Sequence, residues 1–167
     1  MSHLTIISHL PENIKDLGRL RCKIQRENYP SIPDHARPKE KVYSDQTANG
    51  LTRCIIDAIN LCGGHAERIS NTGRVIDSSY TYTNVLGQTK RIGGLQFVPG
   101  TGTNGTADIS ALWMGKSIKI EVKIGRDKVS QAQLNYRAKI EAAGGIYLVA
   151  KSYEGFVFEL ERRLKNG

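Results

Sequence analysis

The sequence predicts an α/β fold, a mixed central sheet flanked by helices in the order α-β-β-β-α-β, behind an N-terminal helical extension. Three observations predict it. Leu51, Cys54, Ile55, Ala58, Ile59 and Cys62 recur at helical spacing, and the run stops at Gly63-Gly64. From His65 the period changes to the alternation of strands, in runs rich in β-branched and aromatic residues. A helical segment, Gln131 to Ala143, then leads into a short apolar run, Ile146–Ala150. Helices and strands in that order around one sheet make an α/β sandwich.

Taken in order, residues 11–26 read as a short helix, with Ile14, Leu17, Leu20 and Ile24 on one stripe. Asn28 to Lys41 carries Pro30, Pro33 and Pro38 and reads as an extended connector. Residues 1–43 are therefore an extension with a proline-containing connector, and 44–167 the main domain. Its first helix is expected from Ser44 to Leu61. The extended candidates are His65–Ser70, Arg74–Ile76, Tyr80–Val85 and Gly94–Val98, followed by a Gly/Thr-rich loop, 99–106. A β-hairpin, a basic loop, the helix from Gln131, the strand at Ile146 and a final helix from Glu154 to Leu164 complete the chain.

Composition narrows the function. The chain is 39% hydrophobic and 24% charged, the balance of a soluble globular protein. No apolar run approaches the ~20 residues that a membrane-spanning helix needs. Met1-Ser-His-Leu-Thr-Ile-Ile lacks the basic start and long apolar core of a secretory signal, so a cytoplasmic location and no membrane partner are expected. Cys22, Cys54 and Cys62 form no CxxC pair, and the four histidines show no zinc-ligand spacing. The net charge of +8 is uneven: +3 over residues 1–41, zero over 42–114 and +5 over 115–167. A basic surface of this kind suits nucleic acid, and ordinary solubilising charge accounts for it equally well.

The chemistry concentrates in Gly105-Thr-Ala-Asp108 and, twelve residues on, Glu121-Val122-Lys123. The strands Thr106–Trp113 and Ser117–Lys123 are joined near Gly115-Lys116, which suits a type II′ turn. That turn sets Asp108 opposite Lys123 and Ser110 opposite Glu121. Ile118, Ile120 and Val122 point into the core, while Asp108, Lys119, Glu121 and Lys123 share the other face. Two carboxylates and an ammonium on adjacent strands make a site for a divalent cation and a phosphodiester. The same charges would also make an ordinary salt-bridged sheet face, where each cross-strand pair contributes only ~0.2–1 kcal/mol.

The neighbouring motifs favour the first reading. Gly105-Thr-Ala-Asp108, Ile120-Glu121-Val-Lys123, Ser130-x-x-Gln133 and Gly144-Gly145-Ile-Tyr147 stand in an order and spacing that resembles the PD-(D/E)XK nuclease superfamily. The likeness is to its VRR-NUC branch, which is similar to the Holliday-junction resolvases. It runs from about Asp45 to Phe156, and Arg68-Ile-Ser-Asn71-Thr-Gly73 resembles the first-strand motif of these enzymes. The resemblance implies a restriction-endonuclease-like core and metal-dependent endonuclease activity on DNA. It implies that Asp108, Glu121 and the backbone carbonyl of Val122 ligate Mg²⁺ or Mn²⁺, a hard cation that takes few carboxylates and several waters. Lys123 would orient the attacking water or steady the transition-state oxyanion.

Gln133 stands where family members carry a glutamine that supports the site, yet Ser130-x-x-Gln133 is equally a capping box. Many relatives place a glutamate on the first core helix; here that turn carries Asn49, with Asp45 one turn earlier. Asn49 can support a metal through its carbonyl oxygen but brings no charge. Arg68, Lys119, Arg126 and Lys128 are candidates for phosphate contacts. Resolvase-like relatives act as homodimers, although no apolar interface stripe in this sequence demands one. Two alternatives stand beside the DNA endonuclease: a non-catalytic DNA-binding module on the same fold, and a nuclease directed at RNA.

Gly115-Lys116-Ser117 is set aside as a phosphate loop, because the required earlier glycine is Ser110 and the motif lies in a hairpin. Trp113 and Tyr136 are read as core or rim rather than base-stacking residues. His35 and His65 have no partner spacing and receive no catalytic role.

Overall fold

The computed structural model describes residues 9–70, 73–98, 100 and 102–165. The expectations for the N-terminal leader, for Asn71 and Thr72 of the first-strand motif, and for Pro99 and Thr101 of the Gly/Thr loop lie outside the described residues. Four helices and a mixed sheet make up the α/β architecture among the described residues. Two compact units emerge, Met1–Ile69 with Asn104–Gly167, and Ser70–Thr103.

In the larger unit, α1 (Ile14–Asn28) begins at Asn13, whose side chain accepts the Asp16 N–H. Helix α2 (Ala48–Leu61) begins later than Ser44, because Thr47 is its cap and takes the Gly50 N–H on Oγ1 at 3.1 Å. Asp45 is therefore not one helical turn before Asn49. Its carboxylate instead accepts the backbone N–H of Tyr153 at 3.0 Å, at the start of α4 (Tyr153–Lys165).

The central sheet has the order β1-β6-β7-β8, with β1 His65–Arg68, β6 Ile109–Trp113, β7 Lys116–Val122 and β8 Ile146–Ala150. The first three are antiparallel, whereas β8 runs parallel to β7. A parallel neighbour needs a crossover, and α3 (Gln131–Ala142) supplies it. Leu51, Ile55 and Ile59 of α2 meet Ile109, Ile118 and Ile120 of the sheet in one core, joined by Phe156 and Leu160 of α4. The predicted stripe of α2 is thus the buried stripe.

The extension is tied to that core by a polar knot. Asp57 of α2 accepts from Tyr43 Oη at 2.7 Å, Lys41 Nζ at 2.5 Å and Arg21 Nη1 at 3.2 Å. The Tyr153 hydroxyl also donates to the Pro11 carbonyl, at 3.0 Å.

In the smaller unit, β2 (Arg74–Asp77) pairs with β5 (Leu95–Val98) and β3 (Tyr80–Thr83) with β4 (Thr89–Ile92). Arg74 faces Val98 and Tyr80 faces Ile92, so one unbroken register carries the chain through both ladders. No helix of the described residues is long and apolar enough to cross a membrane.

Candidate active site at the open end of the β6–β7 hairpin

The hairpin register differs from the expected one. Ile109 pairs with Ile120, Ser110 with Lys119 and Trp113 with Lys116, which leaves Met114-Gly115 as the two-residue loop. Both loop residues have positive φ, 49° and 74°, as a type I′ turn requires. The turn thus sits one residue earlier than Gly115-Lys116, and the pairing moves by two. Asp108, next before Ile109, falls opposite Glu121, rather than opposite Lys123. A two-residue shift preserves side-chain parity, so Ile118, Ile120 and Val122 remain buried and Glu121 remains on the opposite face.

Asp108 marks the point where the ladder ends. Its backbone carbonyl accepts the Ile69 N–H at 2.8 Å, and its Oδ2 takes the Val122 N–H at 2.9 Å in place of a strand partner. In a strand, a residue's N–H and C=O point to the same side. The Val122 carbonyl therefore lies on the Asp108 edge of β7, while Lys123 turns its N–H to Ala150 of β8 at 2.9 Å.

Glu121 is the centre of the group. It is only 3% exposed, and its Oε1 accepts from Lys123 Nζ at 3.0 Å and from Gln133 Nε2 at 2.5 Å. Its Oε2 is buried without a partner. Burial pushes the Glu121 carboxyl above the usual range, helped by the charge of Asp108 and opposed by the hydrogen bonds from Lys123 and Gln133. A buried carboxylate with one bare oxygen beside a second carboxylate has the donor set a divalent cation takes, and an ion there would satisfy the orphaned atom. Among the described residues no group of three His, Cys, Asp or Glu side chains could share an ion. A bound ion would therefore complete its shell from the Val122 carbonyl, water and substrate.

Gln133 makes the contacts of the capping box and also reaches Glu121. Its N–H donates to Ser130 Oγ at 3.3 Å and its Oε1 accepts the Ser130 N–H at 2.9 Å, closing the capping box of α3. The remaining amide nitrogen reaches Glu121, so the helix cap and the support of the carboxylate are made by one side chain. Gly105 explains the start of the Gly105-Thr-Ala-Asp108 motif. It has φ +82°, and a Cβ there would lie 2.4 Å from the Ala132 carbonyl carbon and 2.8 Å from the Gln133 nitrogen. Only glycine lets the loop into Asp108 pass this closely over the first turn of α3.

The remaining candidates are distributed more widely. Lys119 is half-buried on the Glu121 face and donates to Ser110 Oγ at 2.5 Å. Arg126 and Lys128 are exposed in the loop between β7 and α3. Arg68 pairs with Ile109, on the α2 side of the sheet, and its Nη1 donates to Asn49 Oδ1 at 2.9 Å. Asn49 and Arg68 thus engage each other rather than Asp108 or Glu121.

Tyr147 closes the Gly144-Gly145-Ile-Tyr147 motif. It pairs with Lys119 across β7–β8 and so shares the Glu121 face. It is 1% exposed, with its hydroxyl buried and unpartnered and its ring edge-on to Tyr136 at 6.3 Å. Burial, with the charges of Glu121 and Asp108, raises its pKa and holds the phenol protonated. Its place on that face follows from the β7–β8 register, which leaves no local pattern in the sequence. No family model matches the chain, and no curated protein matches it.

Proposed function

We propose that this chain is a Mg²⁺- or Mn²⁺-dependent endonuclease that hydrolyses DNA phosphodiesters, built on the restriction-endonuclease-like core of the PD-(D/E)XK superfamily and similar in motif to its VRR-NUC branch. The observation that carries the reading is the buried Glu121 carboxylate. It has one oxygen held by Lys123 and Gln133 and one left bare, with Asp108 beside it. Asp108, Glu121 and the Val122 carbonyl would hold the ion. When bound, it supplies a water of lowered pKa and offsets charge on the phosphodiester. Among the described residues Lys123 is the cation that pairs with Glu121, and its other N–H donors can orient the attacking water or the phosphoryl oxygen. Gln133 fixes the Glu121 rotamer from a capped helix, which gives the carboxylate a rigid support. Tyr147, kept protonated, presents a hydrogen-bond donor on the same face.

The test is incubation of the purified chain with end-labelled duplex, branched and single-stranded DNA, and with matching RNA, in Mg²⁺ or Mn²⁺. Chelator-sensitive cleavage of DNA supports the reading, and the panel identifies the substrate class. Salt-sensitive binding without cleavage would make the chain a DNA-binding module. Cleavage confined to RNA would make it a ribonuclease.

A further inference from the structure

Two of the buried polar atoms left without a hydrogen-bond partner among the described residues are complementary, and they lie on one sheet face. Glu121 Oε2 is an acceptor, and Tyr147 Oη, on a phenol held protonated, is a donor. The two residues are diagonal neighbours across β7–β8, since Tyr147 pairs with Lys119 and Glu121 with Val149. With strands about 4.8 Å apart and a rise of about 3.3 Å per residue, their backbones stand roughly 8 Å apart, within reach of an aromatic and a long side chain. Helix α3 reaches both from one face: Gln133 bonds Glu121, and Tyr136, three residues on, sets its ring edge-on to that of Tyr147. Lys123 and Gln133 both donate to Oε1, so Oε2 keeps its whole acceptor capacity.

We propose that Tyr147 is a positioning residue for Glu121, its hydroxyl donating to Oε2 through one buried water. A hydroxyl and a carboxylate oxygen buried without partners each cost free energy, and a water between two such groups is the usual remedy. The water accepts from Oη and donates to Oε2. It fixes the second carboxylate oxygen as Lys123 and Gln133 fix the first, so the plane of the carboxylate is set from both sides. Each carboxylate oxygen offers two lone-pair sites, so Oε2 can keep this donor and ligate an ion together. Partners of this kind typically change the affinity of a metal ligand by about 10–100-fold. The consequence for an ion rests on the reading of Glu121 as a metal ligand, whereas the hydrogen bond itself does not.

The test is Tyr147→Phe in the full chain, which removes the oxygen and keeps the ring against Tyr136. Tyr153→Phe is the control, because that hydroxyl donates to the Pro11 carbonyl at 3.0 Å, away from Glu121. Melting is measured in chelator, and Mn²⁺ binding without DNA by the electron paramagnetic resonance signal of the free ion. Both variants should melt about 2–4 °C below wild type, as the loss of a satisfied hydrogen bond requires. Only Tyr147→Phe should weaken Mn²⁺ binding, at least ~10-fold. A Tyr147→Phe protein that melts at or above wild type would overturn the proposal, because removing an unpartnered hydroxyl is neutral or stabilising. Mn²⁺ affinity unchanged in Tyr147→Phe, or lowered equally in Tyr153→Phe, would overturn the positioning role. A wild type that binds no Mn²⁺, with the melting loss of Tyr147→Phe intact, would refute the metal reading while supporting the hydrogen bond.

Discussion

Gln133 is the residue at which fold and chemistry are hardest to separate, because one amide closes a helix and holds a carboxylate. Substitution can divide the two. Gln133→Glu keeps an acceptor for the Ser130 N–H but removes the donor to Glu121 and sets two carboxylates together, so cleavage is predicted to fall ~10–100-fold with little change in melting. Ser130→Ala should do the reverse, costing about 1 kcal/mol of stability and leaving the cleavage rate within a few-fold. Gly105→Ala would force a β-carbon into the α3 backbone at a φ that favours glycine. A loss of at least ~1–3 kcal/mol in denaturant unfolding is expected. At this scale the sequence was informative about which residues meet, because Asp108, Glu121, Lys123 and Gln133 do converge. It was not informative about Tyr147 or about the Arg68–Asn49 bond, since a buried hydroxyl and a contact across 19 residues leave no local pattern.

At the scale of elements, parity was legible and register was not. Alternation fixes which side chains share a face, and any shift by two preserves it. The pairing itself depended on whether Met114 would adopt a left-handed conformation, which a non-glycine residue seldom does. The start of α2 was missed for a similar reason, as Thr47 and Ser44 are both competent caps and only tertiary contacts commit Asp45 to α4. The contact of the extension with α2 yields a pH prediction. Burial would raise the Asp57 pKa, but hydrogen bonds from Lys41 and Tyr43, with the charges of Lys41 and Arg21, hold it below the ordinary 3.8. A lowered folded-state pKa contributes stability above that ordinary value, and the contribution is lost as pH falls through the depressed one. Asp57→Asn is therefore predicted to cost about 1–3 kcal/mol at neutral pH. In urea unfolding against pH, the gap to wild type should close in the acid range.

For the whole molecule, the predicted order α-β-β-β-α-β is realised by α2, β1, β6, β7, α3 and β8. The strands between β1 and β6 pair apart from that sheet. Their alternation read like that of core strands, because an apolar face has the same period whether it packs inside a domain or is left exposed. The net charge of +8 belongs to this scale, and the logarithm of the DNA affinity is predicted to fall linearly with log salt, with a slope of about 0.9 per phosphate contacted. The central claim is that Glu121 holds the reaction, and single-turnover DNA cleavage by wild type and Glu121→Gln in Mn²⁺ tests it most directly. The account predicts that the variant keeps its circular dichroism spectrum and DNA affinity while its cleavage rate falls at least ~10²-fold. A variant that cleaves within a few-fold of wild type would contradict it and place the chemistry elsewhere on the chain.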